Sequence, residues 1–458
     1  MQQLSVVILA AGKGKRMVSD LPKVLHRVGG IPLLGHVLAA ASRLDATARL
    51  VVYGHGGEAV KAAFADQTDV IWVEQTEQLG TGHAVAQALP SLDLASVVLV
   101  LYGDVPLIRP ETLQPLVAEA GQGRLALLTV ELPDPSGYGR IVRDDRGMVQ
   151  RIVEEKDATP AERCLREINT GILAVSAEKL GGWVAELKND NSQGEYYLTD
   201  IIGLAVRDGV SIEAFSVTEP AEVQGVNDRR QLVDLERFYQ ARQAEALLLN
   251  GATLLDPARV DVRGRVVTGK DVIIDVNVVF EGAVRLGDRV RIGPFCVLRD
   301  AVIGDDVEIL SHCRIESAEI GAGAQIGPFA RLRPDTRLAP GVHIGNFVET
   351  KKTSIGPGSK VNHLTYVGDA EIGANVNVGA GTITCNYDGA NKHKTVIGDG
   401  AFIGSNSSLV APVRIGKGAT VGAGSSVSRD VPDGSLCLTR AQRKDVANWA
   451  RPVKPAKG

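Results

Sequence analysis

The sequence predicts an α/β chain in which one long helix joins an N-terminal layered domain to a C-terminal parallel β-helix. From about residue 255 to residue 430, aliphatic residues recur every six positions, and a glycine follows many of them. Before residue 227, apolar segments alternate with helix-like segments. Residues 228–249 contain no glycine or proline and carry apolar residues at helical spacing. These patterns predict a domain over 1–227, a linker helix over 228–250 and a β-helix over 251–458.

In the N-terminal part, apolar runs at residues 6–9, 50–53, 97–102 and 125–130 predict strands, and residues 33–44 predict a helix. Strands that are apolar throughout are typical of a parallel sheet covered by helices on both faces. Ligands of such sheets bind at the carboxyl ends of the strands. Functional residues are therefore expected where these strands end.

Composition limits the functional classes. The chain has 458 residues, of which 44% are hydrophobic, and a net charge of −4, which predicts a soluble multidomain protein without nucleic-acid or membrane partners. Five scattered cysteines without a C-x-x-C pair favour a reducing cytoplasm over a disulfide framework. The apolar run at residues 4–11 is too short to span a bilayer and lacks a basic flank, so it predicts a buried strand rather than a signal peptide.

The six-residue period in the C-terminal part is typical of a parallel β-helix, in which aliphatic side chains point inward and glycine permits tight turns. The period breaks between Ile344 and Ile355 and again between Val378 and Ile397. Insertions in such solenoids form loops on one face, which is often the binding face. The breaks therefore predict two functional loops and argue against a scaffold without chemistry.

The first strand leads directly into a glycine-rich turn, which predicts a phosphate site. Backbone N–H groups in such a turn can approach phosphate oxygens, and nearby cations can neutralise them. The turn is neither a P-loop nor a dinucleotide fingerprint. The string A-A-G-x-G-x-R-M, followed by P-K, resembles the sugar-nucleotide pyrophosphorylases, although Lys15 stands where that family usually has Thr or Ser. The nucleotide contacts that the resemblance implies here are Leu9, Ala10, Ala11, Gly12, Arg16 and Lys23.

Further strings match the same family. Gln75, Gly80 and Thr81 lie in a segment that resembles its uracil-reading loop, where an amide suits the donor and acceptor edge of uracil. Asp104 ends the strand at residues 97–102 and is a candidate Mg²⁺ ligand, because magnesium usually takes one or two carboxylates. Without the resemblance, such an aspartate is more often a cap or turn residue. The remaining positions that match the family's site are Tyr102, Gly103, Gly139, Glu154, Asn169 and Asn227.

His363 lies between the two breaks in the repeat and is expected on a turn. A histidine accepts a proton near neutral pH, as an amine nucleophile requires when it attacks a thioester, and a backbone N–H could stabilise the resulting oxyanion. Arg333, Lys351 and Lys392 could bind a phosphate. The alternative for all four residues is an ordinary solvated surface.

Two longer strings, residues 362–366 and 379–392, extend the resemblance over essentially the whole chain. Together the motifs resemble the bacterial family of bifunctional N-acetylglucosamine-1-phosphate uridyltransferases and glucosamine-1-phosphate acetyltransferases. The resemblance implies a Rossmann-like nucleotidyltransferase domain and a left-handed β-helix that forms a homotrimer in the cytoplasm. It also implies that His363 is the acetyltransfer base, assisted by Glu349, and that Asp104 and Asn227 hold Mg²⁺. The residues that it implies for binding glucosamine 1-phosphate are Arg333, Lys351, Tyr366 and Asn377. Those that it implies for binding acetyl-CoA are Ala380, Asn386, Tyr387, Ser405, Ala423 and Arg440, and Asn386 is also expected near the sugar.

The implied reactions are consecutive. The β-helix would acetylate glucosamine 1-phosphate with acetyl-CoA, using the Ser405 N–H as oxyanion donor. The N-terminal domain would then join the product to UTP, giving UDP-N-acetylglucosamine and pyrophosphate. One alternative is a sugar-nucleotide pyrophosphorylase whose β-helix is a non-catalytic assembly module. Another is a related enzyme with a different acyl group or sugar.

Overall fold

The computed structural model describes residues 3–12, 14–54, 56–439 and 442–451. The chain forms two compact units, Met1–Ala241 and Arg242–Gly458. Within the described residues, no helix is both long and apolar enough to cross a membrane.

The first unit alternates strands and helices along the chain. Its strands are β1 (Leu4–Ala10), β2 (Arg27–Val28), β3 (Ile31–Pro32), β4 (Ala48–Tyr53), β5 (Val70–Glu74), β6 (Val97–Tyr102), β7 (Leu125–Glu131), β8 (Arg140–Arg143), β9 (Val149–Val153), β10 (Glu167–Ser176) and β11 (Ile212–Val217). The helices are α1 (Leu33–Ser42), α2 (Gly57–Ala63), α3 (Thr81–Ala88), α4 (Pro110–Gly121), α5 (Pro160–Arg163), α6 (Ala177–Glu186), α7 (Ile201–Arg207) and α8 (Pro220–Val223). A further helix, α9 (Arg229–Leu249), begins in the first unit and ends in the second.

The main sheet has the strand order β11-β7-β10-β6-β1-β4-β5. Strands β1, β4, β5 and β6 pair in parallel, and β11 is parallel to β7. The prediction of a wholly parallel sheet is wrong at β10, which is antiparallel to both β6 and β7. An apolar run has the same composition in either direction. Here β10 returns through the β8–β9 hairpin rather than through a crossover helix, so its direction is reversed.

Both faces of this sheet are covered, as predicted. Val6 and Ile8 of β1 belong to a buried cluster with residues of α1 and α4. Val7 and Leu9 point the other way and belong to a second cluster with residues of α3, α6 and α7. Because successive side chains of a strand alternate between faces, β1 is buried along its whole length and is apolar except at Ser5.

The second unit is a parallel β-helix, as predicted, and its hexapeptide repeats place it in the left-handed class. Its strands are Thr253–Leu254, Val260–Thr268, Ile273–Ile274, Val278–Leu286, Arg291–Ile292, Val297–Arg299, Val302–Ile303, Glu308–Ile309, Arg314–Glu316, Ala318–Ile320, Gln325–Ile326, Arg331–Leu332, Thr336–Leu338, His343–Asn346, Glu349–Ile355, Lys360–His363, Tyr366–Ile372, Asn377–Val378, Ile383–Cys385, Thr395–Ile397, Phe402–Ile403, Ser408–Val410, Val413–Ile415, Thr420–Val421, Ser426–Val427 and Leu436–Cys437.

The repeated aliphatic residues form one continuous core. Ile326, Val361 and Ile403 are fully buried within it. The long helix α9 spans the boundary between the two units, and its residues Ala244 and Leu247 join the core of the β-helix.

The prediction of the first loop is wrong, whereas the second predicted loop is present. The chain from Ile344 to Ile355 runs mostly as the strand Glu349–Ile355, in which the buried Thr350 takes the inward position of an aliphatic residue. A pattern restricted to aliphatic residues therefore showed a false break. The second break contains a protruding hairpin closed by a bridge between Tyr387 and Lys392.

Candidate active sites

A cavity of about 620 Å³ lies at the carboxyl ends of β1 and β6 in the first unit. Its floor is the end of β1 and the glycine-rich turn that follows. Eleven of the residues predicted from the sequence line it: Leu9, Ala10, Ala11, Gly12, Lys23, Gln75, Gly80, Thr81, Tyr102, Asp104 and Asn227. The predicted residues therefore lie together where these strands end.

Lys23, Asp104 and Asn227 meet inside this cavity. The Lys23 ammonium forms an ion pair with the Asp104 carboxylate, and its Nζ lies 3.4 Å from Asn227 Oδ1. Both members of the ion pair are largely buried, with side-chain exposures of 12% and 15%. A carboxylate oxygen and an amide oxygen therefore converge on one position that holds a positive charge.

Five predicted residues lie beside the cavity rather than in its lining. Arg16 is exposed, and Gly103 is buried under the end of β6. The Glu154 carboxylate accepts a hydrogen bond from the Thr199 hydroxyl at 3.0 Å, and burial raises the pKa of Glu154. A Cβ at Gly139 would lie 3.0 Å from Ile152 Cγ2 and 3.4 Å from both Glu154 carboxylate oxygens, so glycine permits the close approach of these side chains. Asn169 Oδ1 accepts a hydrogen bond from the Gly171 N–H at 3.0 Å.

Burial raises the pKa of the Tyr102 phenol, and the negative charges of Glu154 and Asp104 add to the shift. This phenol therefore stays protonated at neutral pH. It separates the cavity from the Glu154 and Asn169 group, and it also lines a small void next to Asn169 and Thr199.

Sequence reasoning missed several lining residues. Gln78, Tyr138 and Thr170 lie in motifs that were recognised, but they were not chosen as site residues. Glu195 carried no signal, because it lies in an irregular segment more than a hundred residues from the glycine-rich turn. Gly225 could have been found, since it stands two positions before Asn227.

In the β-helix, His363 belongs to a column of equivalent corner positions, which we call the corner column: Asn346, His363, Ala380, Ser405 and Ala423. Successive coils are joined here by backbone hydrogen bonds, for example from Gly381 N–H to His363 O at 3.3 Å and from Asn406 N–H to Ala380 O at 2.7 Å. Four residues predicted separately for acetyltransfer thus follow one another along one edge of the solenoid.

His363 is the last residue of the strand Lys360–His363 rather than a turn residue as expected, and its side chain is exposed. The turn begins one residue later at Leu364, whose φ is 48°. The Thr365 hydroxyl, which is buried, donates a hydrogen bond to the His363 carbonyl oxygen at 2.6 Å. The backbone that carries the imidazole is therefore held from inside the β-helix.

The predicted phosphate-binding cations also lie together. Arg333 forms an ion pair with Glu349 at 2.8 Å. The Lys351 and Lys392 side chains are in contact, and this contact together with the positive charge of Lys392 lowers the pKa of Lys351. Arg333 adds to that effect. Glu349 and Lys351 lie on the strand Glu349–Ile355, which pairs directly with the strand that starts at Tyr366: Lys351 is in register with Gly368 and Glu349 with Tyr366.

The other predicted residues are more dispersed. Asn377 pairs with Lys360 and Phe402 on the face that precedes the corner column. Asn386 is buried and donates to Asp369 Oδ2 at 2.5 Å. Tyr387 is exposed in the hairpin, where its hydroxyl donates to the Gly389 carbonyl oxygen at 2.6 Å. Arg440 lies outside the described residues.

The fold and the two residue groups define the class of protein: a nucleotidyltransferase unit followed by a hexapeptide transferase unit. Models of known families match the same regions. Residues 6–155 match a MobA-like NTP transferase domain, residues 262–362 match a GMPPB C-terminal domain, and residues 394–429 match the bacterial transferase hexapeptide with six repeats.

Curated relatives are similar over the full length. The Bifunctional protein GlmU of Methylococcus capsulatus is 59% identical over 99% of both chains. The proteins of the same name from Marinobacter nauticus and Alkalilimnicola ehrlichii are also 59% identical, over 99% and 100% of this chain and 100% and 98% of theirs. The chain belongs to the family of the Bifunctional protein GlmU.

The family assignment made from the sequence is thereby confirmed. The protein is a bifunctional enzyme that acetylates glucosamine 1-phosphate and transfers a uridylyl group to the acetylated product, giving UDP-N-acetylglucosamine. The match runs through both units, which disfavours the alternative of a non-catalytic β-helix.

Proposed function

We propose that residues 1–227 catalyse uridyltransfer, that residues 251–458 catalyse acetyltransfer, and that residues 228–250 link them. One observation carries this division. The residues predicted for UTP and metal binding, from Leu9 to Asn227, lie in the first compact unit, and those predicted for acetyltransfer, from Arg333 onward, lie in the second. The two sets do not interleave along the chain.

In the first unit, the glycine-rich turn binds the UTP phosphates, and Gln75 with Gly80 and Thr81 binds the uracil. The group formed by Tyr102, Gly103, Gly139, Glu154 and Asn169 binds the sugar, while Arg16 and Lys23 supply positive charge. The attacking group is the phosphate of N-acetylglucosamine 1-phosphate. It is already an anion and needs no base, so catalysis depends on positioning and on charge neutralisation.

Asp104 and Asn227 would hold Mg²⁺, which supplies positive charge to the phosphates when bound. The donor set fits this ion, because one carboxylate and one amide oxygen already converge on the Lys23 ammonium, and magnesium completes its shell with phosphates and water. No group of three or more His, Cys, Asp or Glu side chains that could hold a metal occurs in the described part of the chain. Lys23 is the residue that must leave Asp104 and turn toward the phosphates.

In the second unit, His363 takes a proton from the amine of glucosamine 1-phosphate, and Glu349 orients that group. Arg333 and Lys351 bind the sugar phosphate, and Tyr366, Asn377 and Asn386 hold the sugar. Acetyl-CoA lies along Ala380, Asn386, Tyr387, Ser405, Ala423 and Arg440. The Ser405 N–H stabilises the oxyanion. The corner column supports this assignment, because it aligns His363 with Ala380, Ser405 and Ala423.

The active form is a cytoplasmic homotrimer. An exposed stack of rings on the β-helix, formed by Phe295, His312, Phe329 and Phe347, supports an interface between copies, since adjacent ring centroids are 4.7–5.4 Å apart and the three phenylalanines are about half exposed. Light scattering tests the trimer. A stable, fully active monomer would contradict it.

Product analysis tests the two activities together. With glucosamine 1-phosphate, acetyl-CoA, UTP and Mg²⁺, the expected product is UDP-N-acetylglucosamine. Omitting acetyl-CoA is expected to stop both steps unless preformed N-acetylglucosamine 1-phosphate is added. Omitting Mg²⁺ is expected to stop only uridyltransfer. Formation of a different acyl sugar, or uridyltransfer without a divalent metal, would contradict the proposal.

A further inference from the structure

The side-chain amide of Gln75 has a fixed orientation in the nucleotide cavity. Gln75 follows the last residue of β5 and is only 3% exposed. Its Nε2 lies 3.2 Å from the Gly80 carbonyl oxygen and 3.0 Å from His83 Nδ1. A carbonyl oxygen can only accept a hydrogen bond, so the amide atom facing Gly80 must be the nitrogen. The hydrogen-bonding chemistry therefore fixes the orientation of the Gln75 amide.

His83 completes this arrangement. The Gln75 nitrogen has two N–H bonds, and donating the second to His83 Nδ1 requires a neutral imidazole with its proton on Nε2. His83 is the third residue of α3, and its ring lies 6.5 Å from that of Tyr196. On its far side, the Gln87 amide nitrogen lies 3.2 Å from His83 Nε2 and 3.5 Å from the His83 carbonyl oxygen. A half-turn of the Gln87 amide gives up only this longer contact and places its oxygen to accept the Nε2 proton, whereas a half-turn of Gln75 would give up the 3.2 Å bond to Gly80. With both N–H groups of Gln75 engaged, its amide oxygen is the group left to bind a ligand.

An acceptor at this position selects one kind of pyrimidine. The base-pairing edge of uracil carries one donor, N3–H, between two carbonyl oxygens. Cytosine has a lone pair at N3, which an amide oxygen repels. A rotated Gln75 would present N–H at the same place and would remove this distinction. Thymine has the same N3–H as uracil, so this contact does not separate those two bases.

We propose that His83 is a positioning residue that sets the preference for uracil over cytosine by holding the Gln75 amide with its oxygen toward the base. The inference rests on the proposed role of Gln75 in UTP binding and deepens it. His83 acts through Gln75 and is not assigned a contact with the substrate.

The test compares nucleotides within one variant. In the full-length protein, kcat/KM of uridyltransfer is measured with UTP, CTP and dTTP for wild type, His83→Leu and His83→Asn. Leucine removes the acceptor, and we expect the UTP:CTP ratio to fall about tenfold or more, as when a buried polar contact loses its partner. The UTP:dTTP ratio is expected to stay unchanged. Asparagine can place its Oδ1 near the position of Nδ1, so it is expected to restore most of the UTP:CTP ratio.

The Gln75→Leu variant distinguishes a failure of the proposed uracil contact from a failure of the positioning role of His83. If Gln75→Leu leaves the UTP:CTP ratio unchanged, the proposed uracil contact of Gln75 is wrong. If Gln75→Leu lowers that ratio and His83→Leu does not, the contact stands and the positioning role of His83 is overturned. A folded His83→Leu protein, verified by its thermal unfolding curve, that loses rate equally with all three nucleotides would also overturn it.

Discussion

The two candidate sites are built in different ways by the same chain. In the first unit, Lys23 and Asp104 come from distant parts of the sequence and meet, largely buried, in one cavity where parallel strands end. In the β-helix, His363 is exposed on an edge, and Lys351 lies on the neighbouring strand Glu349–Ile355, which pairs with the strand that begins at Tyr366. A sheet gathers residues by its topology, whereas a solenoid aligns them by its period.

The two sites also differ in whether one copy of the chain supplies all the groups that bind the ligand. The sheet site encloses its ligand-binding groups within one unit. The β-helix presents its groups in columns on an outer surface, and this arrangement suits a site completed by a neighbouring copy, as the proposed trimer would provide. Substitutions in the first site should therefore act on one activity through charge and metal binding. Substitutions in the second should act through the position or the charge of single side chains.

Asp104→Ala is expected to give the largest effect and to separate the two sites most clearly. Removing the carboxylate takes away the proposed metal ligand and leaves the buried Lys23 ammonium without its ion-pair partner. We expect uridyltransfer to fall by about 10³-fold, in the range found when one preorganised electrostatic group is lost, with acetyltransfer unchanged. Both activities are measured on the same preparation. Near-normal, Mg²⁺-dependent uridyltransfer in the variant would show that Asp104 is a structural cap.

His363→Ala is expected to lower acetyltransfer by about 10²-fold or more, as typical for loss of a general base, while uridyltransfer stays unchanged. Acetyltransfer and uridyltransfer are measured on the same preparation of the variant.

The control histidines for this experiment occupy distinct environments. His312 stacks between Phe295 and Phe329, and His393 contacts Asp388 at 2.7 Å. His343 pairs in register with Gln325 and Lys360 on a flat face. Full acetyltransfer in His363→Ala, combined with its loss in one of these three variants, would show that the base had been misassigned.

The fold was largely predictable, because period and apolar content are local properties of a sequence. The direction of β10 was not, since an apolar strand has the same composition whichever way it runs. The prediction of a loop after Ile344 was wrong for a related reason. Thr350 is buried at an inward position, where its hydroxyl lies 3.0 Å from that of Thr336. A pattern that admits threonine inside keeps the spacing of six from Ile344 to Thr350 and leaves a spacing of five from Thr350 to Ile355, which is too short for an inserted loop.

The candidate sites were predictable where a motif included the residue. The glycine-rich turn, Asp104 and Asn227 belong to such strings, and the structure brings them together. Glu195 lines the same cavity without any motif, because only the tertiary fold brings it there. The alignment of His363 with Ser405 was also not predictable, because the inserted hairpin makes their separation along the sequence differ from the regular coil length.

Thr365→Val is a weaker test of the idea that the β-helix site depends on the position of single side chains. Valine keeps the shape of the buried side chain and removes the hydrogen bond to the His363 carbonyl oxygen, which then keeps only the 3.3 Å contact from Gly381. Loss of one such bond corresponds to about 1 kcal/mol, so we expect acetyltransfer to fall about fivefold with an unchanged pH profile. Thr365→Ser should restore the rate. The matched control is Thr382→Val, whose hydroxyl bonds Gly379 O at 2.7 Å, and an equal loss there would indicate a general packing effect.

The smallest expected effect concerns the cation cluster and its pH dependence. The contact with Lys392 and its positive charge lower the pKa of Lys351, so Lys351 loses its proton at a lower pH than an isolated lysine would. A lysine binds phosphate through its charged form, which exists below its pKa. The KM for glucosamine 1-phosphate should therefore rise as pH increases through this lowered pKa. In Lys392→Ala the cause of the shift is absent, and the rise should move to higher pH.

At neutral pH, Lys392→Ala removes one exposed positive charge, so we expect KM to increase only about threefold, as is usual for exposed charges. The measurement is acetyltransfer KM from pH 7 to pH 10 in wild type, Lys392→Ala and the control Lys394→Ala, whose ammonium pairs with Glu371 instead. Titration of the substrate's own amine and phosphate is common to all three proteins and cancels in the comparison. Superimposable KM profiles for wild type and Lys392→Ala would show that the two lysines do not share one phosphate, and the cluster would then be a solvated surface.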